Sequence, residues 1–241
     1  MKNPEFDIAI LLPTRGRAES LERSIRSLVE NADDISRVQL MFGFDDDDDV
    51  GAEHFKSVVQ PYLDEKEVEY TAMSFKPMGY IRLNEYVNAL ALASDADWLM
   101  FWNDDALMLT EGWDDKIVEQ DGYFGLLRMP CVNMNHPFAL FPIIPRSWVE
   151  FFGRVSPVNH SDWWIYNVTV PVNRMKNLPV QVYHDRADVT GGNNDETFRE
   201  QSYAADGRDP TNPEDYSHPD RRQELMDWIY KLDDKIKNGN N

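Results

Sequence analysis

The run from Trp98 to Trp102 (WLMFW) contains five large apolar residues and stops abruptly at Asn103, Asp104 and Asp105. A short run that is apolar at every position fits a β-strand buried on both faces of a sheet. Side chains released at the carboxyl end of such a strand lie where open α/β sheets bind ligands. Asn103 and Asp105 are two positions apart, so they can point the same way and share one divalent cation. The same residues also suit a solvated turn in which an aspartate caps the next helix.

The first half of the chain alternates strand and helix patterns. Short apolar runs extend from Asp7 to Leu12, from Val38 to Phe44 and from Val68 to Phe75. We expect a short helix after the second run, ending near Pro61. Apolar residues at helical spacing predict two further helices, at Leu21, Ile25 and Leu28 and at Leu83, Val87, Leu90 and Ala91. This alternation predicts an α/β fold with a mostly parallel central sheet flanked by helices.

The second half of the chain differs from the first in composition and in its hydrophobic pattern. Residues from Trp113 to Val182 are rich in Trp, Phe, Pro and Asn, with strand-like pieces at Tyr123 to Arg128 and at Phe138 to Ile144. Residues 185–220 are polar with little periodicity, which predicts a mobile loop. A last amphipathic helix is predicted from Leu225, Trp228, Ile229, Leu232 and Ile236. We therefore expect one structural domain with an irregular second half and a C-terminal helix.

Composition narrows the classes of partner. The chain of 241 residues carries a formal net charge of -19, which disfavours direct binding to nucleic acid or anionic lipid. Anionic ligands are therefore expected to arrive with a metal ion. The single cysteine, Cys131, excludes an internal disulfide and has no activating base beside it, so we expect an inert thiol. No stretch approaches the roughly 18 apolar residues of a membrane span, and no apolar signal segment opens the chain, so we expect a cytoplasmic protein.

Polar clusters follow three of the predicted strands. They are Pro13-Thr14-Arg15-Gly16-Arg17, the run Asp45 to Asp49, and Asn103-Asp104-Asp105. In this order they resemble the motifs of nucleotide-sugar glycosyltransferases with the GT-A fold, particularly the family-2 type, over about residues 5–190. The resemblance implies a Rossmann-like single domain, with residues 1–112 as the nucleotide-sugar-binding half and residues 113–241 as the acceptor-binding half.

The resemblance also implies which side chains contact the nucleotide-sugar. In such enzymes the first turn lies along the nucleoside, and an aspartate after the second strand accepts from the base N–H. A glycine and an Arg-Asn pair lie between the third and fourth strands, and here Arg82 stands one residue early. The residues implied to contact the donor are Pro13, Thr14, Arg15, Arg17, Asp45, Gly79, Arg82, Asn84 and Asp104.

Metal ligands and a catalytic base are implied in the same way. Asn103-Asp104-Asp105 stands at the D-x-D position, so Asp105 would be the chief ligand, with Asn103 and a late histidine, His184, completing the set. An imidazole ligand favours Mn²⁺ over Mg²⁺. The base would be Asp162, at the start of a helix capped by Ser161, with Asp195 in reserve. The neighbouring Trp163 or Trp164 could then stack on a sugar.

These motifs imply a metal-dependent, inverting glycosyltransferase that uses a UDP-sugar. The acceptor could be a glycan, a protein or a modified base of bacteriophage DNA. One alternative is a sugar-phosphate nucleotidyltransferase, although the Gly-rich N-terminal phosphate loop of that class is missing. Another is a non-catalytic carbohydrate-binding or assembly protein on a GT-A scaffold, which the amide of Asn103 in place of a carboxylate would allow.

Overall fold

The computed structural model describes residues 5–191, 198–199, 211–213 and 215–239. Within these ranges the strands are β1 (Ile8–Thr14), β2 (Val38–Asp45), β3 (Glu69–Phe75), β4 (Trp98–Phe101), β5 (Ala106–Met108), β6 (Leu126–Arg128), β7 (Pro142–Pro145), β8 (Met175–Asn177) and β9 (Val182–His184). The α-helices are α1 (Ala18–Glu30), α2 (Asp49–His54), α3 (Gln60–Glu65), α4 (Leu83–Ala93), α5 (Trp113–Val118), α6 (Arg146–Phe152), α7 (Ser161–Thr169), α8 (Ala187–Thr190) and the C-terminal helix Pro219–Lys237.

A seven-stranded sheet with the order β3-β2-β1-β4-β7-β6-β8 forms the centre of the fold. Strands β3, β2, β1 and β4 run parallel, and β7 pairs antiparallel with β4. The chain moves outward from β1 through β2 to β3 and then crosses back to place β4 on the other side of β1. The strand order therefore reverses between β1 and β4, and ligands of open α/β sheets bind at such a switch point. The predicted α/β class and mostly parallel sheet are confirmed.

Alternation along β1 sends side chains into two separate cores. Ile8, Ile10 and Leu12 pack on one face of the sheet, and Ala9 and Leu11 pack on the other. The first face is covered by α1 through its buried residues Leu21, Ile25 and Leu28. The second face is covered by α4, α6, α7 and the C-terminal helix. Burial on both faces holds the central strands, and with them the loops at their carboxyl ends, in fixed positions.

A small second sheet sits beside the end of β4. Strand β5 follows Asp105 directly and pairs antiparallel with β9, which places Ala106 opposite His184. The backbone N–H of Asp185 donates to the carbonyl of Asp105 at 2.8 Å and extends the pairing. A residue 79 positions later in the chain is thereby fixed next to the acidic end of β4.

The structure corrects several predicted boundaries. The helix after β2 continues past Pro61 to Glu65, because a π-helical turn at Phe55–Val59 starts a new helical segment in which the proline occupies the first turn. Strand β6 begins only at Leu126, because the N–H of Tyr123 bonds to the Gln120 carbonyl in a turn. Strand β7 begins only at Pro142, because Phe138 and Leu140 lie outside the sheet and line a cavity. Ser161 is not a helix cap: it is the first residue of α7, and its hydroxyl donates to the Val158 carbonyl.

The predicted loop at residues 185–220 is only partly covered by the structure. It contains α8 and the first residues of the C-terminal helix, whereas residues 192–197, 200–210 and 214 lie outside the described residues. The C-terminal helix itself is confirmed, with Trp228 and Leu232 buried. Among the described helices, none is long and apolar enough to cross a membrane.

Candidate functional site

The carboxyl ends of β1 and β4 open into a cavity of about 150 Å³, which we call the polar cavity. It lies at the switch point of the sheet. Ten of the residues implied by sequence to bind the donor or the metal line it, and they come from segments far apart in the chain. They are Pro13, Thr14, Arg15, Arg17, Asp45, Gly79, Asn103, Asp104, Asp105 and His184.

Two adjacent buried carboxylates form the floor of the polar cavity. Asp104 and Asp105 are 6% and 4% exposed. Thr14 Oγ1 donates to Asp104 Oδ2 at 2.7 Å, which joins the ends of β1 and β4. Arg17 Nη1 lies 3.1 Å from Asp104 Oδ1 and 2.9 Å from Asp105 Oδ2. Burial raises the pKa of Asp104 to about 6, while the charge of Arg17 acts in the opposite direction.

His184 reaches the other oxygen of Asp105. Its Nε2 atom lies 2.9 Å from Asp105 Oδ1 and 3.3 Å from Asn103 Nδ2. The backbone of His184 is held by Asn133, which accepts from the His184 N–H at 3.0 Å and donates to its carbonyl at 2.8 Å. The ring packs edge-on against Phe141, with centroids 5.1 Å apart. His184 is therefore fixed with its Nε2 beside Asn103 and Asp105.

The residues present fit a divalent metal ion. Ligands bind Mg²⁺-like ions at about 2.1 Å in octahedral geometry, so neighbouring donor atoms stand about 3 Å apart. The separations of Nε2 from Asp105 and Asn103 match that spacing, and rotation of the Asn103 amide would offer its oxygen. Within the described residues, no three His, Cys, Asp or Glu side chains form a cluster that could hold a metal ion. The set at this position consists of Asp105, His184 and the amide of Asn103.

Asp45 stands at the far side of the polar cavity, at the end of β2. It is 6% exposed and accepts from Arg15 Nη1 at 2.8 Å and from the hydroxyl of Tyr86. That hydroxyl in turn accepts from the backbone N–H of Met78 at 2.8 Å. Burial, followed by the bond to Asp45, raises the pKa of Tyr86 above its ordinary value, which keeps the phenol protonated as a donor. The carboxylate of Asp45 is thus oriented by one donor on each of its two oxygens.

The rest of the aspartate run ties two loops together. Asp47 forms an ion pair with Arg15, and Asp48 accepts from the backbone N–H of Gly16 at 2.8 Å. The second oxygen of Asp48 accepts from the Gly51 N–H at 3.0 Å and caps α2. The loops after β1 and β2 are therefore braced against each other around the polar cavity.

A second cavity of about 460 Å³, which we call the aromatic cavity, adjoins the first. Its walls include Phe138, Trp163 and Tyr216, and the rings of Trp163 and Tyr216 lie with centroids 4.6 Å apart. Asp162 lines it from the first turn of α7. The two cavities share six lining residues, Tyr80, Leu83, Val87, Phe101, Asn103 and His184.

The environment of Asp162 suits a proton acceptor. Burial raises the pKa of its carboxyl above the ordinary value, while His160 acts in the opposite direction. A carboxylate with a raised pKa is a stronger base than an exposed one. Asp188 lines the same cavity but is exposed, and hydrogen bonds from Arg186 lower its pKa. Asp162 is thus the more basic of these two carboxylates.

Not every residue singled out in the sequence reaches a cavity. Arg82 is exposed at the end of the 3₁₀ turn Tyr80–Arg82, and Asn84 is buried in α4, so neither lines the polar or the aromatic cavity. Trp164 is fully buried and cannot stack on a ligand. Asp195 lies outside the described residues. Burial raises the pKa of the half-buried Cys131 thiol, which supports its expected inertness.

Sequence reasoning missed Tyr86 and Asn133, which orient Asp45 and His184. Tyr86 lies on a helix face with the pattern of a buried core, and Asn133 lies in a turn. The sequence around them therefore does not indicate a role at the site. It also missed Ser24, whose hydroxyl accepts from Trp102 Nε1 at 2.7 Å and donates to the Asn103 carbonyl at 3.2 Å. Only the three-dimensional pairing of α1 with the end of β4 makes that role visible.

No protein-family model matches the sequence, and comparison with curated proteins gives no match. Solved structures do match. A mannosyltransferase, PcManGT from Pyrobaculum calidifontis in complex with GDP-Man and Mn²⁺, aligns with a TM-score of 0.63 over 99% of this chain and 76% of that chain, at 12% identity. The chain has the fold of nucleotide-sugar glycosyltransferases. Residues 1–349 of S. aureus TarS in complex with UDP align with a TM-score of 0.59 over 97% of this chain and 92% of that fragment, at 10% identity. The predicted GT-A fold is thereby confirmed.

Proposed function

We propose that this chain is a glycosyltransferase that moves a sugar from a nucleotide-sugar, with UDP as the nucleotide, to the hydroxyl of an acceptor. The observation that carries the proposal is the convergence of ten residues selected from the sequence on the polar cavity, at the switch point of a glycosyltransferase fold. The solved relatives with GDP-Man, UDP and UDP-GlcNAc support a nucleotide-sugar donor.

In this proposal the polar cavity is the donor site. Asp45, oriented by Arg15 and Tyr86, accepts a hydrogen bond from the nucleobase. Asp105, His184 and Asn103 would hold Mn²⁺, and the bound ion would supply positive charge to the diphosphate leaving group. The Mn²⁺ complex of PcManGT supports this ion, as does the imidazole in the ligand set.

The aromatic cavity is the proposed acceptor site. It shares a wall with the polar cavity, so an acceptor hydroxyl bound there would lie near the sugar of the donor. Asp162 would take the proton of that hydroxyl as it attacks the anomeric carbon, which gives inversion of configuration. Trp163 lines this cavity, and its ring is the proposed stacking surface for a sugar. A cavity with aromatic walls and the carboxylates of Asp162 and Asp188 suits a glycan better than the phosphates of DNA.

The test is a screen of ligands on the purified chain. UDP, GDP and their sugars are added with Mn²⁺, and the melting temperature is recorded, because a ligand that binds only the folded state raises it. We expect UDP and UDP-sugars to raise the melting temperature and inorganic phosphate to leave it unchanged. No shift with any nucleotide would contradict the proposal.

A second measurement separates an enzyme from a binding protein on the same scaffold. The sugar-nucleotide that raises the melting temperature most is incubated with candidate glycan acceptors, and UDP release is followed. Acceptor-dependent release is expected of a transferase and not of a binding module. No observation on this structure favours the nucleotidyltransferase alternative.

A further inference from the structure

The ring of His136 is held in one tautomer by its own main chain. His136 is half-buried in the loop between β6 and β7 and lines the aromatic cavity. Pro137 has no backbone N–H, and the next N–H along the chain, that of Phe138, donates to His136 Nδ1 at 3.3 Å. A backbone N–H can only donate, so Nδ1 is an acceptor and carries no proton. The neutral ring therefore carries its proton on Nε2.

Contacts on both sides fix the position of this ring. Arg128 Nη2, at the end of β6, donates to the backbone carbonyl of His136 at 2.7 Å. The imidazole packs edge-on against Phe138, with centroids 4.8 Å apart, and Phe138 packs edge-on against Tyr166 of α7. Burial lowers the pKa of His136 below its ordinary value, while the charge of Asp162 acts in the opposite direction. The ring is thus neutral at neutral pH, and no residue that the structure describes accepts from its Nε2.

The donor on His136 complements the carboxylate of Asp162 in the same cavity. An ionised carboxylate only accepts hydrogen bonds, so in the proposed reaction Asp162 accepts from the attacking hydroxyl. A donor on that same oxygen would occupy a lone pair needed for attack on the anomeric carbon. The N–H of His136 therefore suits a second oxygen of the acceptor. An acceptor molecule without such an oxygen would leave this N–H unpaired, which costs affinity.

We propose that His136 determines acceptor specificity by donating from Nε2 to an oxygen other than the attacking one, which selects acceptors with several hydroxyls, namely sugars. The inference rests on the proposed function, because it requires the aromatic cavity to be the acceptor site. It gives His136 no part in donor binding or in accepting the proton. Loss of this side chain should therefore weaken acceptor binding selectively.

The tautomer is tested first, without turnover, by NMR of the full chain labelled in its histidine rings. Long-range couplings show which ring nitrogen carries the proton, and the His136 signals are identified by their loss in His136→Phe. His218 is the reference, because its Nδ1 also accepts from a backbone N–H, that of Asp220 at 3.2 Å, yet it lines neither cavity. We expect the proton on Nε2 in both residues. A proton on Nδ1 of His136 would overturn the inference.

The bond to the acceptor is tested by kinetics with Mn²⁺, the UDP-sugar that raises the melting temperature most and a panel of methyl hexosides. With the hexoside that the wild type uses best, His136→Phe should raise the KM of the acceptor at least about tenfold, with a smaller change in kcat and unchanged UDP affinity. His136→Gln, whose amide places an N–H near the position of Nε2, should recover part of the loss. His218→Phe is the matched control and should keep the wild-type KM.

Monodeoxy forms of the same hexoside identify the oxygen that His136 contacts. One form that lacks an oxygen other than the attacking one should lose a similar factor with the wild type and nothing further with His136→Phe, because both changes remove the same bond. A purely structural role of His136 would leave the two losses additive. If His136→Phe does not fold, His136→Asn takes its place, since its side-chain oxygen can still accept from the Phe138 N–H while the shorter amide does not reach the position of Nε2.

The outcomes distinguish this inference from the proposed function. Additive losses for every monodeoxy form, or an unchanged acceptor KM in the folded variant, would overturn the role of His136 and leave a transferase. If the wild type uses no methyl hexoside but UDP raises its melting temperature, the inference falls and the proposed donor site stands. No UDP binding would overturn both.

Discussion

Each carboxylate oxygen of Asp105 faces a different partner, Arg17 on one side and His184 on the other. The residue stands at the end of β4, yet it is 4% exposed and therefore part of the interior. A buried carboxylate persists only where charge or hydrogen bonds compensate for lost hydration. The contacts that stabilise this buried carboxylate therefore come from the same residues that form the proposed binding site.

The first prediction concerns this carboxylate. In Asp105→Ala the difference in UDP affinity between Mn²⁺ and EDTA should disappear, because the chief proposed ligand of the ion is gone. Calorimetry under the two conditions measures this difference. Asp46→Ala, which removes the same charge from an exposed position of the aspartate run, is the control and should keep the wild-type difference. A metal-dependent gain that survives in a folded Asp105→Ala protein would show that the ion binds elsewhere.

A second prediction tests the proposed base. Asp162→Asn should lower the rate of transfer by roughly 10²-fold or more while UDP affinity stays near wild type, since a general base acts in the transition state. Asp188→Asn is the matched control, because it removes another carboxylate of the aromatic cavity, and it should retain transfer. If Asp162→Asn retains transfer within a few-fold, the base is another group, and Asp195→Asn is the next variant to measure.

The pH dependence of the same reaction gives an independent check on Asp162. The base must be deprotonated, and burial raises its pKa, so activity should fall on the acid side at a higher pH than an exposed aspartate would give. In a profile of kcat/KM against pH, the acidic limb reports this group in the free enzyme. That limb should be absent from the residual activity of Asp162→Asn.

Among whole elements, α5 is joined to the chain before β2 through one buried carboxylate. Asp114 is fully buried and accepts from the backbone N–H groups of Asp33 and Asp34, both at 2.9 Å. Arg37 donates to it through Nε at 3.1 Å and through Nη2 at 2.8 Å. Burial alone would raise the pKa of Asp114, but these donors together lower it below its ordinary value.

We expect Asp114→Ala to lower the free energy of unfolding by about 3–5 kcal/mol, as the loss of one partner from a buried ion pair does. Urea unfolding measures this change. Asp115→Ala is the control, because Asp115 is 44% exposed although it also pairs with Arg37, and it should lower the free energy of unfolding far less. Equal losses in the two variants would assign the stability to Arg37 and not to the buried carboxylate.

The sign of the pH effect at Asp114 follows from its lowered pKa. Its contribution is fully present above the pKa of the unfolded chain, near 4, and is lost as the pH falls through the lower folded value. The difference in stability between wild type and Asp114→Ala should therefore narrow in acid.

The elements that the sequence predicts well are those with one dominant pattern. The buried run before Asn103 and the stripe of Leu21, Ile25 and Leu28 produced β4 and α1 as expected. The helix end predicted near Pro61 is wrong because a π-helical turn, which the hydrophobic pattern does not reveal, precedes a new helical segment with the proline in its first turn. Phe138 was predicted to lie in a strand because the sequence does not distinguish an apolar residue that lines a cavity from one that lies in a sheet.

At the scale of the whole molecule, the fold was predictable and the site only in part. The order of polar clusters after strands was enough to place Thr14 and Asp105 at one edge, because parallel strands end on the same side. The contact of His184 with Asp105 needed the resemblance, since their pairing depends on the distant β5–β9 register. Arg82, which stands one residue early in the motif, is exposed at the end of a 3₁₀ turn and lines neither cavity, and its role at the diphosphate stays a prediction.

Because the two cavities share a wall, water in the aromatic cavity should lie near a donor bound in the polar cavity when no acceptor is present. The aromatic cavity, at about 460 Å³, has room for many water molecules, each of which takes about 30 Å³. Water is then the smallest available nucleophile, and Asp162, the proposed base, would accept its proton. We expect slow hydrolysis of the bound sugar-nucleotide, measured as free sugar released without acceptor. The rate of this hydrolysis should fall in Asp162→Asn, and it should also fall when a non-reactive glycan fills the cavity. A donor that binds and is not hydrolysed would mean that the shared wall keeps water from the anomeric carbon.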